Sequence, residues 1–137
     1  MTTEQPPLVA VFNSNDDIVE MLRVAIELSG FLVVTGHVPR AIRGEFDLPG
    51  FVAQHQPRVI VYDISPPYER NWAFLQHLRQ LPEMRDRRFV ITSTHAPRVQ
   101  ALAGNDEMVY EILGKPYDIE AIVRAVTEAA AGAGVRR

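Results

Sequence analysis

No cysteine occurs in the 137 residues, which excludes a disulfide framework and any thiolate chemistry. Long apolar runs are missing too: none approaches the ~18 residues that a membrane-spanning helix requires. The opening residues, MTTEQPP, lack the basic and apolar regions of a secretory signal. These absences predict a cytoplasmic protein with no membrane partner. An excess of positive charge is also absent. The net charge is −3 and the isoelectric point about 5.8, which argues against an intrinsic nucleic-acid surface. The basic cluster Arg85, Arg87 and Arg88 is interrupted by Asp86 and reads as a solvated loop. His37, His55, His77 and His95 fall on separate elements without metal-ligand spacing.

What remains is an ordinary globular composition, 47% hydrophobic and 23% charged. It suits one domain over 1–137 with a core of about 8–129 and fraying termini. The chain is organised around RVIVYDIS, Arg58 to Ser65, with Pro57 before it and Pro66-Pro67 after it. Val59, Ile60, Val61 and Tyr62 do not alternate with polar residues, the pattern of a strand buried on both faces of a parallel sheet. Asp63 then emerges at the carboxyl end of a central strand, where open α/β sheets place their ligand crevice.

Leu8 to Phe12 reads as a first strand, followed by the turn and cap formers Asn13, Ser14, Asn15, Asp16 and Asp17. Ile18, Leu22, Ala25 and Ile26 recur at helical spacing, and Gly30 closes that helix. Phe31 to Thr35 is a second strand. Between Gly36 and Gly50 prolines and glycines break the pattern, and only Phe51 to Gln56 reads as a short helix. Trp72 to Leu81 is helical, with Phe74, Leu75 and Leu78 inward. Phe89 to Thr92 is a fourth strand, and Pro97 opens a helix ending near Ala103. Met108 to Leu113 is a fifth strand. Asp118 caps a last helix with Ile119, Ile122, Val123 and Val126 on its inner face. Five strands with intervening helices predict a three-layer, doubly wound α/β domain with a parallel sheet.

Four of the five predicted strands, the first, third, fourth and fifth, are followed by polar residues: Asn13-Ser14, Asp63, Ser93, and Lys115 before Pro116. On one sheet edge these could bring together a carboxylate, a hydroxyl, an ammonium and two neutral oxygens. That set suits a carboxylate that becomes phosphorylated, its phosphoryl oxygens held by the hydroxyl and the ammonium, with a hard cation offsetting the charge.

VIVYDIS, FVITST and ILGKPYD, in this order and spacing, resemble the receiver domains of two-component response regulators over Leu8 to about Ala129. The resemblance implies a flavodoxin-like fold of strand order 2-1-3-4-5. It further implies Asp63 as phosphoacceptor, Ser93 and Lys115 as phosphoryl contacts, and a cis peptide before Pro116. It implies a cytoplasmic, non-enzymatic member of a phosphorelay. The partners would be a sensor histidine kinase, a phosphotransfer protein or an effector, met through the helix near Pro97 to Ala103, the fifth strand and the last helix. No output domain follows, so a stand-alone receiver is expected.

The departures make it an atypical member. Where receivers carry an acidic pair that holds Mg²⁺, this chain has Asn13 and Ser14, which offer oxygen without charge, so Mg²⁺ binding should be weakened. Asp16 and Asp17 could reach in to rescue the metal, although a positive helix N-terminus accounts for them equally. The aromatic switch position of the family is Ile112, and Tyr110 lies two residues early on what reads as the same strand face. The alternative is therefore a pseudo-receiver that takes neither Mg²⁺ nor phosphate and acts as a binding module. More remote is a small Asp-nucleophile hydrolase, which needs a second Asp where Ser65 stands. A flavin-binding module would want a Gly- or Ser/Thr-rich loop after the first strand, and Asn13-Ser14-Asn15 contains no glycine.

Overall fold

The computed structural model describes residues 6–114, 116, 118–132 and 134. Among the described residues, five strands form one parallel sheet: β1 (Leu8–Asn13), β2 (Leu32–His37), β3 (Val59–Ile64), β4 (Arg88–Ser93) and β5 (Val109–Gly114), in the order β2-β1-β3-β4-β5. The absence of alternation in VIVYDI has its cause here, since all six residues of β3 are buried. β3 lies between β1 and β4, and both of its faces are covered by helices.

The helices are α1 (Asp16–Leu28), α2 (Val38–Ile42), α3 (Leu48–His55), α4 (Tyr68–Arg79), α5 (Ala96–Ala103) and α6 (Ile119–Ala130), with a 3₁₀ turn at Pro82–Met84. Leu22 and Ile26 of α1 join Ile122, Ala125, Val126 and Ala129 of α6 on Val9, Val11, Val59, Val61 and Val90. The opposite face, built on Ala10, Phe12, Ile60, Tyr62, Phe89 and Ile91, is covered by α2 to α5. Side chains alternate across a strand, so neighbouring strand residues belong to opposite layers.

Local chemistry sets the helix ends. Asn15 caps α1, its side-chain oxygen accepting the N–H of Asp17 and Ile18, and Gly30 follows the helix at φ 97°. Asp118 caps α6 through the N–H of Ala121. Between Gly36 and Gly50 the structure has α2 and the start of α3, which the prolines had obscured. Pro39 and Pro49 sit in the first turns of these helices, where proline removes no needed hydrogen bond. Asp47 caps α3 by accepting from Gly50 N–H. α4 begins at Tyr68, a full turn before Trp72, and buries Trp72 itself with Leu75 and Leu78.

Two expectations are corrected. Arg85 is exposed, but Arg87 donates to the carbonyls of Pro57 and Glu83 and to Gln56 Oε1, and Arg88 opens β4 with its guanidinium over the Tyr110 ring. The cluster ties the strand entrance down instead of forming a solvated loop. Tyr110 and Ile112 do not share a face: Tyr110 belongs to the α1/α6 layer and Ile112 packs in the opposite one. The β4–β5 register shifts between Phe89↔Val109 and Val90↔Glu111, and this bulge inserts one residue at Tyr110.

Candidate functional site

Asp63 stands at the carboxyl end of β3, 6% exposed. Thr92 Oγ1 donates to its Oδ1 at 2.7 Å, and Ser65 Oγ donates to its Oδ2 at 2.9 Å. Asn71 Nδ2 in turn donates to the Ser65 carbonyl at 2.7 Å, which fixes the loop after β3. The Pro66–Pro67 peptide in this loop is cis. Both carboxylate oxygens thus accept from hydroxyls.

The sequence points to Ser93 as the hydroxyl that would contact a phosphoryl group, whereas the hydroxyl that meets Asp63 in the structure is that of Thr92. Asp63 pairs with Thr92 in the β3–β4 ladder, and Ser93 pairs with Ile64. Directly paired residues share a face, so Thr92 looks the same way as Asp63 and Ser93 the other way. Ser93 is fully buried and its Oγ accepts the N–H of His95 at 3.2 Å. The sequence held one usable signal, the three consecutive hydroxyls Thr92, Ser93 and Thr94, without a means of choosing among them.

Asn13 is 3% exposed. Its Oδ1 accepts the N–H of Ser14 at 2.7 Å and of Asn15 at 3.1 Å, an Asx-type turn that serves the backbone. Ser14 is exposed, and its carbonyl faces His37 Nε2 at 3.1 Å, so that nitrogen donates. Asp16 and Asp17 are exposed in the first turn of α1. Ile112 is half-buried against the α2–α5 layer, and Tyr110 donates to Glu128 Oε1 at 2.9 Å. Lys115 and the peptide linking it to Pro116 lie outside the described residues; Pro116 itself is exposed.

A clasp crosses the sheet edge beside Asp63. The Tyr68 hydroxyl meets that of Thr94, the Tyr68 ring meets His95 edge-on at 5.9 Å, and Arg98 lies over Tyr68 while pairing with Glu69. The loops after β3 and β4 are thereby joined. Trp72 sits deeper, in the core. Tyr62, next to Asp63, has its phenol pushed well above the usual range by burial and, secondarily, by the Asp63 charge. It stays neutral and apolar in function, its hydroxyl unpartnered among the described residues.

A Mg²⁺ ion requires several oxygen donors, with carboxylates supplying the charge. Among the described residues Asp63 is the one carboxylate at the strand ends, and the Asn13 oxygen is engaged with two amides. Among the described residues no three His, Cys, Asp or Glu side chains cluster as metal ligands. The donor set of the described residues does not fit Mg²⁺.

No family model matches the chain, and no curated protein matches it. Solved structures do. A sensor protein from Polaromonas superposes with a TM-score of 0.71 at 22% identity, covering 92% of this chain and 97% of its own. The apo receiver domain of nitrogen regulatory protein C gives 0.69 at 22% identity, with 94% and 98% covered. A Burkholderia pseudomallei response regulator, solved with a phosphorylated aspartic acid, calcium and citrate, gives 0.63 at 19% identity, with 92% and 70% covered. In strand order, parallel pairing and layer arrangement, the fold of this chain is that of response regulator receiver domains.

Proposed function

We propose that the chain is a pseudo-receiver: one receiver-like domain that works in two-component signalling through protein–protein contact, without Mg²⁺-dependent phosphorylation and without enzymatic activity. The observation that carries this reading is the use of Asn13. In place of a charged metal ligand, the strand-one position holds an amide whose oxygen accepts two backbone N–H groups. Asp63, bonded to Thr92 and Ser65, then serves to organise the sheet edge.

The partners are a histidine kinase, a phosphotransfer protein or an effector. The expected contact face of α5, β5 and α6 carries none of the exposed large hydrophobic residues among the described ones. Met21, Val24 and Leu28 of α1 are 50%, 43% and 83% exposed and lie in one helical stripe. That stripe supports α1 as the contact face.

The position of Asp63 at the carboxyl end of β3 favours a second reading, in which it is a phosphoacceptor. A carboxylate oxygen would attack the phosphorus of a phosphohistidine in line; the P–N bond breaks and the imidazole leaves. Thr92, on the same face as Asp63, and Lys115 would be the candidates to meet phosphoryl oxygens; Ser93, on the opposite face, would not. Intact-protein mass after incubation with acetyl phosphate and Mg²⁺, beside Asp63→Ala, separates the two. The pseudo-receiver gives no adduct in either protein. A phosphate adduct in the parent that is absent from Asp63→Ala overturns it in favour of the acceptor.

A further inference from the structure

A cavity of about 390 Å³ opens on the carboxyl edge of the sheet, between α2 and the loop that follows β3. We propose that it binds a small organic acid, an anionic head on an apolar body, and passes that binding to Asp63 through Ser65.

Its walls are apolar: Val38, Pro39 and Ile42 of α2 on one side, Pro66 and Pro67 on the other. Its volume falls in the range of small-molecule sites, which combine such walls with a few polar groups. The charged groups are both cationic. Arg43 is held by Glu45, with Nη2 at 3.0 Å and Nε at 3.2 Å from its carboxylate oxygens, so its charge is balanced. Arg70 has no ion-pair or hydrogen-bond partner among the described residues, and no acidic side chain lines the cavity. An unbalanced guanidinium over apolar walls selects an anion, which it can hold with paired N–H donors. A neutral apolar molecule would leave that guanidinium unused. A polar anion without a body would leave the proline and isoleucine walls uncovered.

The same cavity reaches Ser65, a hydrogen-bond partner of the buried carboxylate. Ser14 and Ser65 supply hydroxyls to its lining, and Asn71 supplies an amide. Ser65 Oγ is the donor to Asp63 Oδ2, and Asn71 holds the Ser65 carbonyl. A headgroup that recruits the Ser65 hydroxyl removes one of the hydrogen bonds of Asp63. Ligand binding and the state of Asp63 are thereby linked, and the link is reciprocal. The inference stands whether or not Asp63 is phosphorylated.

The test is a ¹H–¹⁵N titration of the full chain with benzoate, phenyl phosphate and, as the neutral match, benzyl alcohol. Saturable shifts at the amides of Ser14, Ser65 and Asn71 are expected with at least one anion and not with the alcohol. Benzoate against phenyl phosphate tells which headgroup is preferred. Arg70→Gln should weaken binding about tenfold, the loss expected for one charge-assisted contact. Because Arg70 is exposed, the variant should keep the parent spectrum away from the cavity. The parent should also show a shift at the Asp63 amide. Ser65→Ala, which removes the recruited hydroxyl, should weaken binding and lose that shift, and an Asp63 shift that survives overturns the link through Ser65. The proposal fails if neither anion saturates in the millimolar range, if benzyl alcohol binds as well as they do, or if Arg70→Gln binds like the parent. Asp63→Ala should bind within a few-fold of the parent, so failure here is separate from failure of the pseudo-receiver reading.

Discussion

Thr92 and Asp63 face one another across β3 and β4, and a 2.7 Å hydrogen bond from Thr92 Oγ1 to Asp63 Oδ1 ties the two strands at the carboxyl edge of the sheet. Thr92→Val keeps the shape and removes the hydroxyl donor. A buried hydrogen bond to a charged group is worth about 1.5–3 kcal/mol, and a loss of that size is expected in urea denaturation. Ser93→Ala removes only an acceptor for the backbone N–H of the exposed His95 and should cost about 1 kcal/mol or less. Equal losses would mean that the two hydroxyls are not distinguished by the register.

Metal binding offers a second check. The parent should show no saturable Mg²⁺ binding, whereas Asn13→Asp with Ser14→Asp adds two charges beside Asp63. An aspartate at 13 can still accept the amides of Ser14 and Asn15, so the turn should survive. Calorimetric titration of the double variant should reveal a millimolar or tighter site. A double variant that titrates like the parent would place the strand-one positions away from Asp63.

Arg79 and Asp106 form a two-pronged ion pair at 2.6 and 2.9 Å, with side chains 13% and 18% exposed. The hydrogen bonds from Arg79 hold the Asp106 carboxyl below its usual range. A depressed folded pKa gives stability that is present above the unfolded value, near 4, and lost as pH falls through the folded one. Asp106→Asn should therefore cost about 1–3 kcal/mol at neutral pH. The gap to the parent should close in acid, and a gap independent of pH would refute the linkage.

Gly36 in β2 marks a steric limit. An added Cβ would meet Phe12 Cε1 at 2.6 Å and Phe46 Cε1 at 3.1 Å. The Phe12 ring is 1% exposed and enclosed by Phe46, Phe51 and Tyr62, with centroids at 6.3, 5.9 and 6.3 Å, so it has little room to yield. Gly36→Ala should destabilise by about 1–3 kcal/mol through overpacking. A melting temperature unchanged by the substitution would show that the aromatic cluster can relax.

The sequence by itself determined the strands, most helices and the position of Asp63. Unbroken β-branched runs such as Val59 to Tyr62 can be buried on both faces only in a parallel sheet covered by helices, and that constraint is local. Asn15, Gly30 and Asp118 act within a few residues of themselves, so their neighbourhood decides their role. The short helix α2 was hidden because its five residues contain a proline and too little periodicity to register. What only the tertiary structure decided depends on register between strands distant in sequence. The β3–β4 pairing chose Thr92 over Ser93 for Asp63, and one inserted residue in β5 sent Tyr110 and Ile112 to opposite layers. A one-residue offset reverses the face of every side chain beyond it, and nothing within a single strand records which offset its neighbour imposes.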